Sequence, residues 1–470
     1  MNNNMNNNDK VSLSARVSWG AGGWADNFIF QVLMILALPI YNIELGIDPV
    51  WIGIALMVPR MFDALTDPLM GNISDNTRSR WGRRRPWIFA GAVISAVLLP
   101  CLWTPPFEGD FAIILYFGIV STVYALSYTM FVVPYTALGF ELTNDYDERT
   151  KVISWRMYVG LVAGLCLPNL YAWCQHDLFG GDILTGARWV SGIVALTVLI
   201  TGCLPVFLCR ERIVEKPQAK IKLGNALLET IKDGPFRLLL SGYVLIITGL
   251  LTSAALALYV NIYHVFDGDK KLAAEVSALG GMLGVLGAYL GVRFATMISA
   301  RTSKRHTMIG GLSLALLSVF SMIFTMQPGF EVVEFFGFKF HPQALSFFFY
   351  GMGQQSCWLL IDSMTADICD EDELRTGLRR EGMFGAVKSL ALKAGVAVTG
   401  LTGGIVIKLA GAGDAAQGVS PEVASTLKTL FVVIQSLGLL AGIIIFIFYP
   451  ITRAKSEETR RILNERAQHA

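Results

Sequence analysis

The sequence predicts an all-α membrane protein with twelve transmembrane helices in two pseudo-symmetric six-helix bundles. Three observations carry that prediction. Of the 470 residues, 53% are hydrophobic and only 16% are charged. A soluble chain carries about 25% charge and needs polar groups to cover its surface. The apolar residues also fall into runs near the roughly 20 residues that a spanning helix requires. Finally, Lys and Arg gather in alternate connections between those runs.

The runs lie near 17–41, 50–72, 86–104, 111–139, 152–175, 188–208, 236–263, 275–298, 307–326, 343–367, 383–409 and 425–450. The second, fourth, tenth and eleventh are the least pure. No barrel-like alternation accompanies them, so helices are the spanning structure. Loop charge orients them. One side collects Lys10 and Arg16, Arg78 to Arg85 after the second run, and Arg149 and Lys151 after the fourth. Arg301 to Arg305, Arg375 to Arg380, the central connection and the tail add to the same side. The opposite side holds Lys270, Lys271 and Lys339, with Arg188, Lys408 and Lys428 near helix ends. Both termini are therefore expected in the cytoplasm, in a multi-pass protein of the cell inner (plasma) membrane.

The organisation follows. Residues 1–16 form an Asn-rich, disordered tail. Residues 17–208 form the first bundle, 209–235 a cytoplasmic central loop, 236–450 the second bundle and 451–470 a cytoplasmic tail. Asp145-Tyr-Asp-Glu-Arg149-Thr150 after run four resembles Asp370-Glu-Asp-Glu-Leu-Arg375-Thr376 after run ten. That text reads as a duplicated six-helix unit, a common transporter plan.

Several classes are excluded. With 38 basic and 36 acidic residues the net charge is +2, which does not suit a nucleic-acid binder. The seven cysteines show no paired spacing and read as apolar packing residues. No nucleophile–base pair, metal cluster or phosphate loop is evident. The chain is not expected to be an enzyme or to need a cofactor, and it is expected to act as a monomer.

A charge at the bilayer centre costs about 2.5–3.5 kcal/mol on insertion scales, so interior charges are the sharpest functional signal. Helix two reads Arg60-Met-Phe-Asp63-Ala-Leu-Thr66-Asp67. Spacings of three and four place Arg60, Asp63 and Asp67 on one face. Two carboxylates one turn apart repel unless Arg60, a cation or a shared proton lies between them. A static Arg–Asp pair explains one carboxylate but not two. Asp63 and Asp67 are thus candidate ligands of a coupling cation, Na⁺ included.

Asp26 and Asn27 in helix one, Arg156 in helix five, Asp362 in helix ten and Lys393 in helix eleven are further interior polar groups. Lys388 reads equally as interior or as snorkelling. Asp362 and Lys393 are candidates to pair with each other. Trp24, Tyr128, Tyr135 and Trp358 lie beside these groups, and Tyr128 and Trp358 suit stacking on a sugar ring. At the cytoplasmic ends, Asp75, Arg78 and Arg83 of the first bundle, Asp145 and Arg149, and Asp370 and Arg375 of the second form a candidate gate. Its charges are expected to pair across the halves.

Asp63-Ala-Leu-Thr-Asp67-Pro-Leu-Met-Gly71, followed by Thr77-Arg-Ser-Arg-Trp-Gly82, resembles the helix-two signature of the glycoside–pentoside–hexuronide:cation symporters. This is the melibiose permease family of the major facilitator superfamily. Pro134-Tyr-Thr-Ala-Leu and the segment from Ala366-Asp367 to Arg379-Arg-Glu-Gly382 resemble its other marks. The resemblance spans the chain and is weakest in helices six to nine. It implies alternating access around midplane sugar and cation sites. By position, Asp63 and Asp67 resemble the cation carboxylates and Thr129 the nearby helix-four hydroxyl. Arg156, Trp358 and Lys393 resemble substrate-site residues.

Two departures shape the expectation. Val132 stands where the melibiose permease has a helix-four aspartate, and Asp26-Asn27 stands where it has Lys-Asp. The second shift turns a carboxylate about 100° around the axis. Losing oxygen ligands weakens the case for Na⁺, whereas H⁺ needs one carboxylate, so H⁺ coupling is favoured. Retention of Arg156 and Lys393 leaves an acidic sugar open beside neutral glycosides. Rival readings are a carrier of a lipid-like or other non-sugar solute and a non-transporting membrane sensor. Polar interior residues count against the first, and the lack of a segment long enough for an output domain counts against the second.

Overall fold

The computed structural model describes residues 11–143, 146–209, 211, 232–377 and 380–469. Most of the expected central loop, the first ten residues and Asp145 lie outside this range. Twelve long helices are present among the described residues. They are α1 (Leu13–Leu38), α2 (Pro49–Asn76), α3 (Arg85–Cys101), α4 (Asp110–Glu141), α5 (Tyr146–Cys166) and α6 (Ile183–Leu208). Then follow α7 (Gly234–Tyr259), α8 (Lys270–Arg301), α9 (Lys304–Thr325), α10 (Gln343–Thr376), α11 (Glu381–Leu409) and α12 (Pro421–Ile447), with α13 (Arg453–His469) after them.

Local sequence explains the starts and stops. Ser12, Asp48, Asp182, Asp233, Asp269, Ser303 and Ser420 each accept a hydrogen bond from a first-turn amide of the helix that follows. Proline opens α2 and α12, where its missing N–H costs nothing. Among the described residues, nine helical segments are long and apolar enough to cross a membrane. α2 makes a tenth if its bent halves count as one span. α3 is short, with 17 residues, and α10 carries the acidic run Asp370 to Glu373. The bend in α2 is 43°, between Pro49–Asp63 and Thr66–Asn76. Pro68 accounts for it, because its ring clashes with the carbonyl four residues back. Asp63 and Asp67 therefore flank a break.

The chain divides into two compact units, Met1–Pro217 with Gly413–Gln417, and Gln218–Ala412 with Gly418–Ala470. In the first, α1 packs on α5 and α6, α4 on α2 and α3, and α3 on α6. In the second, α7 packs on α11 and α12, α10 on α8 and α9, and α9 on α12. Adding six to every number of the first pattern gives the second, which is what a duplicated unit produces. The repeat is also written at the ends of α1 and α7. Each runs into a wider π turn, Pro39–Glu44 and Val260–Val265, and each turn contains Asn-Ile. The acidic-Arg-Thr text behaves differently. Its first copy runs into the start of α5, while its second lies in the last turns of α10. α10 continues past the expected limit of 367 to Thr376 and stops at Gly377, whose φ of +70° suits a left-handed cap.

In the second unit α8 and α10 approach within backbone contact. A Cβ on Gly287 would fall 1.9 Å from the Phe348 carbonyl oxygen, so only glycine allows this crossing. One element departs from the all-helical expectation. Val333–Phe335 (β1) and Phe338–Phe340 (β2) form an antiparallel hairpin between α9 and α10.

Candidate functional site

The helix-two carboxylates meet α4 at one hydroxyl. Thr129 Oγ1 lies 3.4 Å from Asp63 Oδ1 and 3.2 Å from Asp67 Oδ1. It can donate to either carboxylate. Arg60 Nη1 donates to Asp63 Oδ2 at 3.1 Å. Asp63 is 4% exposed and Arg60 6%, so this is a buried ion pair. Asp67 is half-buried. The Arg60 guanidinium also donates to the Phe30 carbonyl at 3.2 Å and sits 4.2 Å from the centre of the Phe30 ring, a cation–π contact. The structure thus brings Arg60, Asp63, Asp67 and Thr129 together.

A second polar cluster adjoins it. Arg156 Nη2 donates to Asp26 Oδ2 at 2.5 Å, and the Tyr128 hydroxyl donates to Asp26 Oδ1 at 2.9 Å. Tyr128 precedes Thr129 on α4, and its ring lies 5.7 Å from that of Phe30. The two clusters therefore share α4 and Phe30. Beneath Arg156 lie Trp19 and Tyr135, with ring centres 5.9 and 5.5 Å from its guanidinium carbon. These rings stack, and each donates to the other's backbone carbonyl. Trp19 is a site residue that the sequence reading did not single out. Asn27 turns away from the pair. It donates to the Gly23 carbonyl and accepts from Gln31. Trp24 stacks on Phe28 and donates to Thr197 of α6.

In the second unit, Trp358 meets Tyr243 edge to face at 5.7 Å. Asp362, one turn along α10, takes an ion pair from Lys388 of α11. Lys388 thus contacts the carboxylate that the sequence offered to Lys393, and the Asp362 side chain is 73% exposed. Lys393 is half-buried on α11.

Of the expected gate charges, Asp75, Arg83, Asp370 and Arg375 pair within their own halves. Arg84, not Arg78 or Arg83, binds Asp75, at 2.8 Å. Arg83 and Arg84 both hold Glu141 at the end of α4. Arg78 is exposed. The Glu211 carboxylate accepts from the backbone amides of Arg83, Arg84 and Arg85 at 2.8–2.9 Å and so caps the start of α3. Glu141 and Glu211 stand alone in sequence, and the sequence reading missed both. Arg375 binds Asp372 and Asp233, and Asp370 binds Arg460 of α13. Burial pushes the Asp372 carboxyl up, but hydrogen bonds from Arg380 and Arg375 outweigh it and hold the group below its ordinary value. Asp145 and the Arg149 side chain lie outside the described residues.

No group of three or more His, Cys, Asp or Glu side chains able to hold a metal ion occurs among the described residues. The two clusters are charge pairs joined by hydroxyl and aromatic groups.

Relatives include the inner membrane symporter YicJ of Escherichia coli, 27% identical over 94% of this chain and 93% of that one. The glucuronide carrier protein homolog of the same organism is 24% identical over 96% and 95%. The isoprimeverose transporter of Lactiplantibacillus pentosus is 23% identical over 97% and 93%. The solved nucleoside transporter NupG shares the fold at TM-score 0.63 and 12% identity, covering 93% of this chain and 100% of that one. The chain is thus a multi-pass membrane transporter and not an enzyme. The model of the MFS/sugar transport protein family matches residues 18–453, and the chain belongs to that family of the major facilitator superfamily.

Proposed function

We propose that the protein is an inner-membrane symporter that takes up a glycoside, pentoside or hexuronide with a cation by alternating access of its two six-helix halves. The carrying observation is the cluster of Asp63, Asp67, Thr129 and Arg60 beside Asp26, Tyr128 and Arg156. The first set offers carboxylates to a coupling ion. The second offers a carboxylate, a guanidinium and phenol edges to sugar hydroxyls. Alternation requires that the helix-two carboxylates be neutralised before the loaded carrier turns over, because a charge in the bilayer is costly.

H⁺ is the coupling ion in this reading. The Arg60 guanidinium already occupies one oxygen of Asp63, and a second fixed cation beside it would be repelled. A proton on either carboxylate needs no cage of oxygens. Na⁺ bound between Asp63, Asp67 and Thr129 is the alternative. Both termini lie in the cytoplasm, as the loop charge requires. The names of the relatives support a sugar-like substrate. Uptake into proteoliposomes tests the reading, using a panel of neutral and acidic sugars with pH and Na⁺ gradients imposed separately. Accumulation driven by either gradient supports symport. Sugar-independent uptake of a lipid-like solute would replace it.

A further inference from the structure

The β1–β2 hairpin keeps its aromatic and charged residues on separate faces. Val333 pairs with Phe340, Glu334 with Lys339, and Phe335 with Phe338. Strand alternation therefore puts Val333, Phe335, Phe338 and Phe340 on one face and the ion pair of Glu334 with Lys339, at 2.7 Å, on the other. β2 packs on α8, and Lys339 lies within electrostatic reach of Glu275 in that helix. Lys339 is thus half-buried beside α8, as is Phe340, whereas Glu334 is 60% exposed. Val333, Phe335 and Phe338 are all exposed. A ribbon beside water lays its apolar face on the core, whereas three of the four apolar residues on this face are left uncovered.

The turn repeats the anomaly. Phe336 and Gly337 have φ of +51° and +78°. A two-residue turn with both central residues at positive φ favours Asn-Gly, and a bulky residue there is an outlier. The sequence nonetheless places phenylalanine at this position, where it is 86% exposed. The hairpin joins two helices whose neighbouring turns also expose apolar residues, Phe320 and Phe324 of α9 and Leu345 and Phe349 of α10. In a multi-pass protein such residues form the lipid-facing belt. The hairpin's aromatic face continues that belt beyond the helix ends, where Phe on an amphipathic element seats at the boundary of headgroups and acyl chains.

We propose that this hairpin is a membrane anchor, with Phe335, Phe336 and Phe338 seated in the lipid headgroup region at the α9–α10 end of the second unit. The packing of β2 on α8 then fixes which face meets the bilayer.

The test is carried out on the full chain in lipid vesicles. Trifluoromethyl-phenylalanine is incorporated at position 336, or at 335, and read by ¹⁹F NMR. A lipid with a nitroxide in its headgroup region should broaden the signal severalfold, and a water-soluble gadolinium chelate should broaden it little. The Phe336→Asn variant supplies the preferred turn residue. It should keep the hairpin folded yet reduce the lipid-induced broadening at position 335. Broadening by the water-soluble agent alone would overturn the proposal. A signal insensitive to both agents that shifts on dilution into excess lipid would overturn it too, because it would mark contact with a second copy of the chain.

Discussion

Replacing Arg60 with glutamine should leave a carboxylate in a place built for an ion pair. Arg60 supplies Asp63 with a donor at 3.1 Å, and both side chains are almost fully buried, 7% and 5% exposed. Removing one partner of a buried pair costs about 3–5 kcal/mol. Thr129 still reaches Asp63, which puts the expected loss near the lower end, about 3 kcal/mol. Asp63→Asn should cost less, because Arg60 keeps the Phe30 carbonyl and ring. The double variant leaves neither charge stranded. It should therefore be more stable than the sum of the singles predicts, by about 2 kcal/mol, within the range seen for residues in contact. Equilibrium unfolding in mixed micelles, followed by circular dichroism at pH 7, measures all three. Single-variant losses that add within about 0.5 kcal/mol would refute the pairing.

Three further outcomes follow from the same geometry. Asp372 is held below its ordinary value of 3.8, so its contribution to stability is fully present above that pH and is lost as pH falls through the lower folded value. The stability gap between the protein and Asp372→Asn should therefore stay constant from neutral pH down to about 5 and shrink below 4; a gap that grows on acidification would contradict this. Glu211→Gln removes the charge that caps α3, and amides 83–85 should exchange with deuterium about fivefold faster, as loss of roughly 1 kcal/mol implies; unchanged exchange would show that the cap is idle. Gly287→Ala would force α8 away from α10 and should lower folded yield or cost more than about 3 kcal/mol, while Gly310→Ala, with nothing within 4 Å, should be neutral or better; equal effects on thermal unfolding would refute the close crossing.

Helix order was legible because each span is a long apolar run closed by Pro, Gly, Asp or Ser. The pairing of Arg60 with Asp63 was legible because helical spacing is a local property. Thr129 was not legible from the residues, since a hydroxyl in a membrane helix is common; it entered by resemblance, and the fold then placed it between the carboxylates. Glu141 and Glu211 escaped because their partners are 58 and 128 residues away, and no local pattern marks such a bond. Arg84 was indistinguishable from Arg83 and Arg78 in the same basic run, where only the backbone path decides which guanidinium reaches Asp75. Lys388 and Lys393 posed the same problem on α11. The hairpin was legible in principle. Val-Glu-Phe-Phe-Gly-Phe-Lys-Phe alternates about a Phe-Gly turn, but its apolar content makes it look like the fringe of a span.

The central claim is that Asp63 and Asp67 couple an ion gradient to solute uptake. Proteoliposomes bearing the protein, Asp63→Asn or Asp67→Asn, given a transported sugar under an imposed pH or Na⁺ gradient, test it most directly. The account predicts that the unaltered protein accumulates sugar above the outside concentration, whereas both variants insert normally and do not accumulate it. Full gradient-driven accumulation by both variants would contradict it.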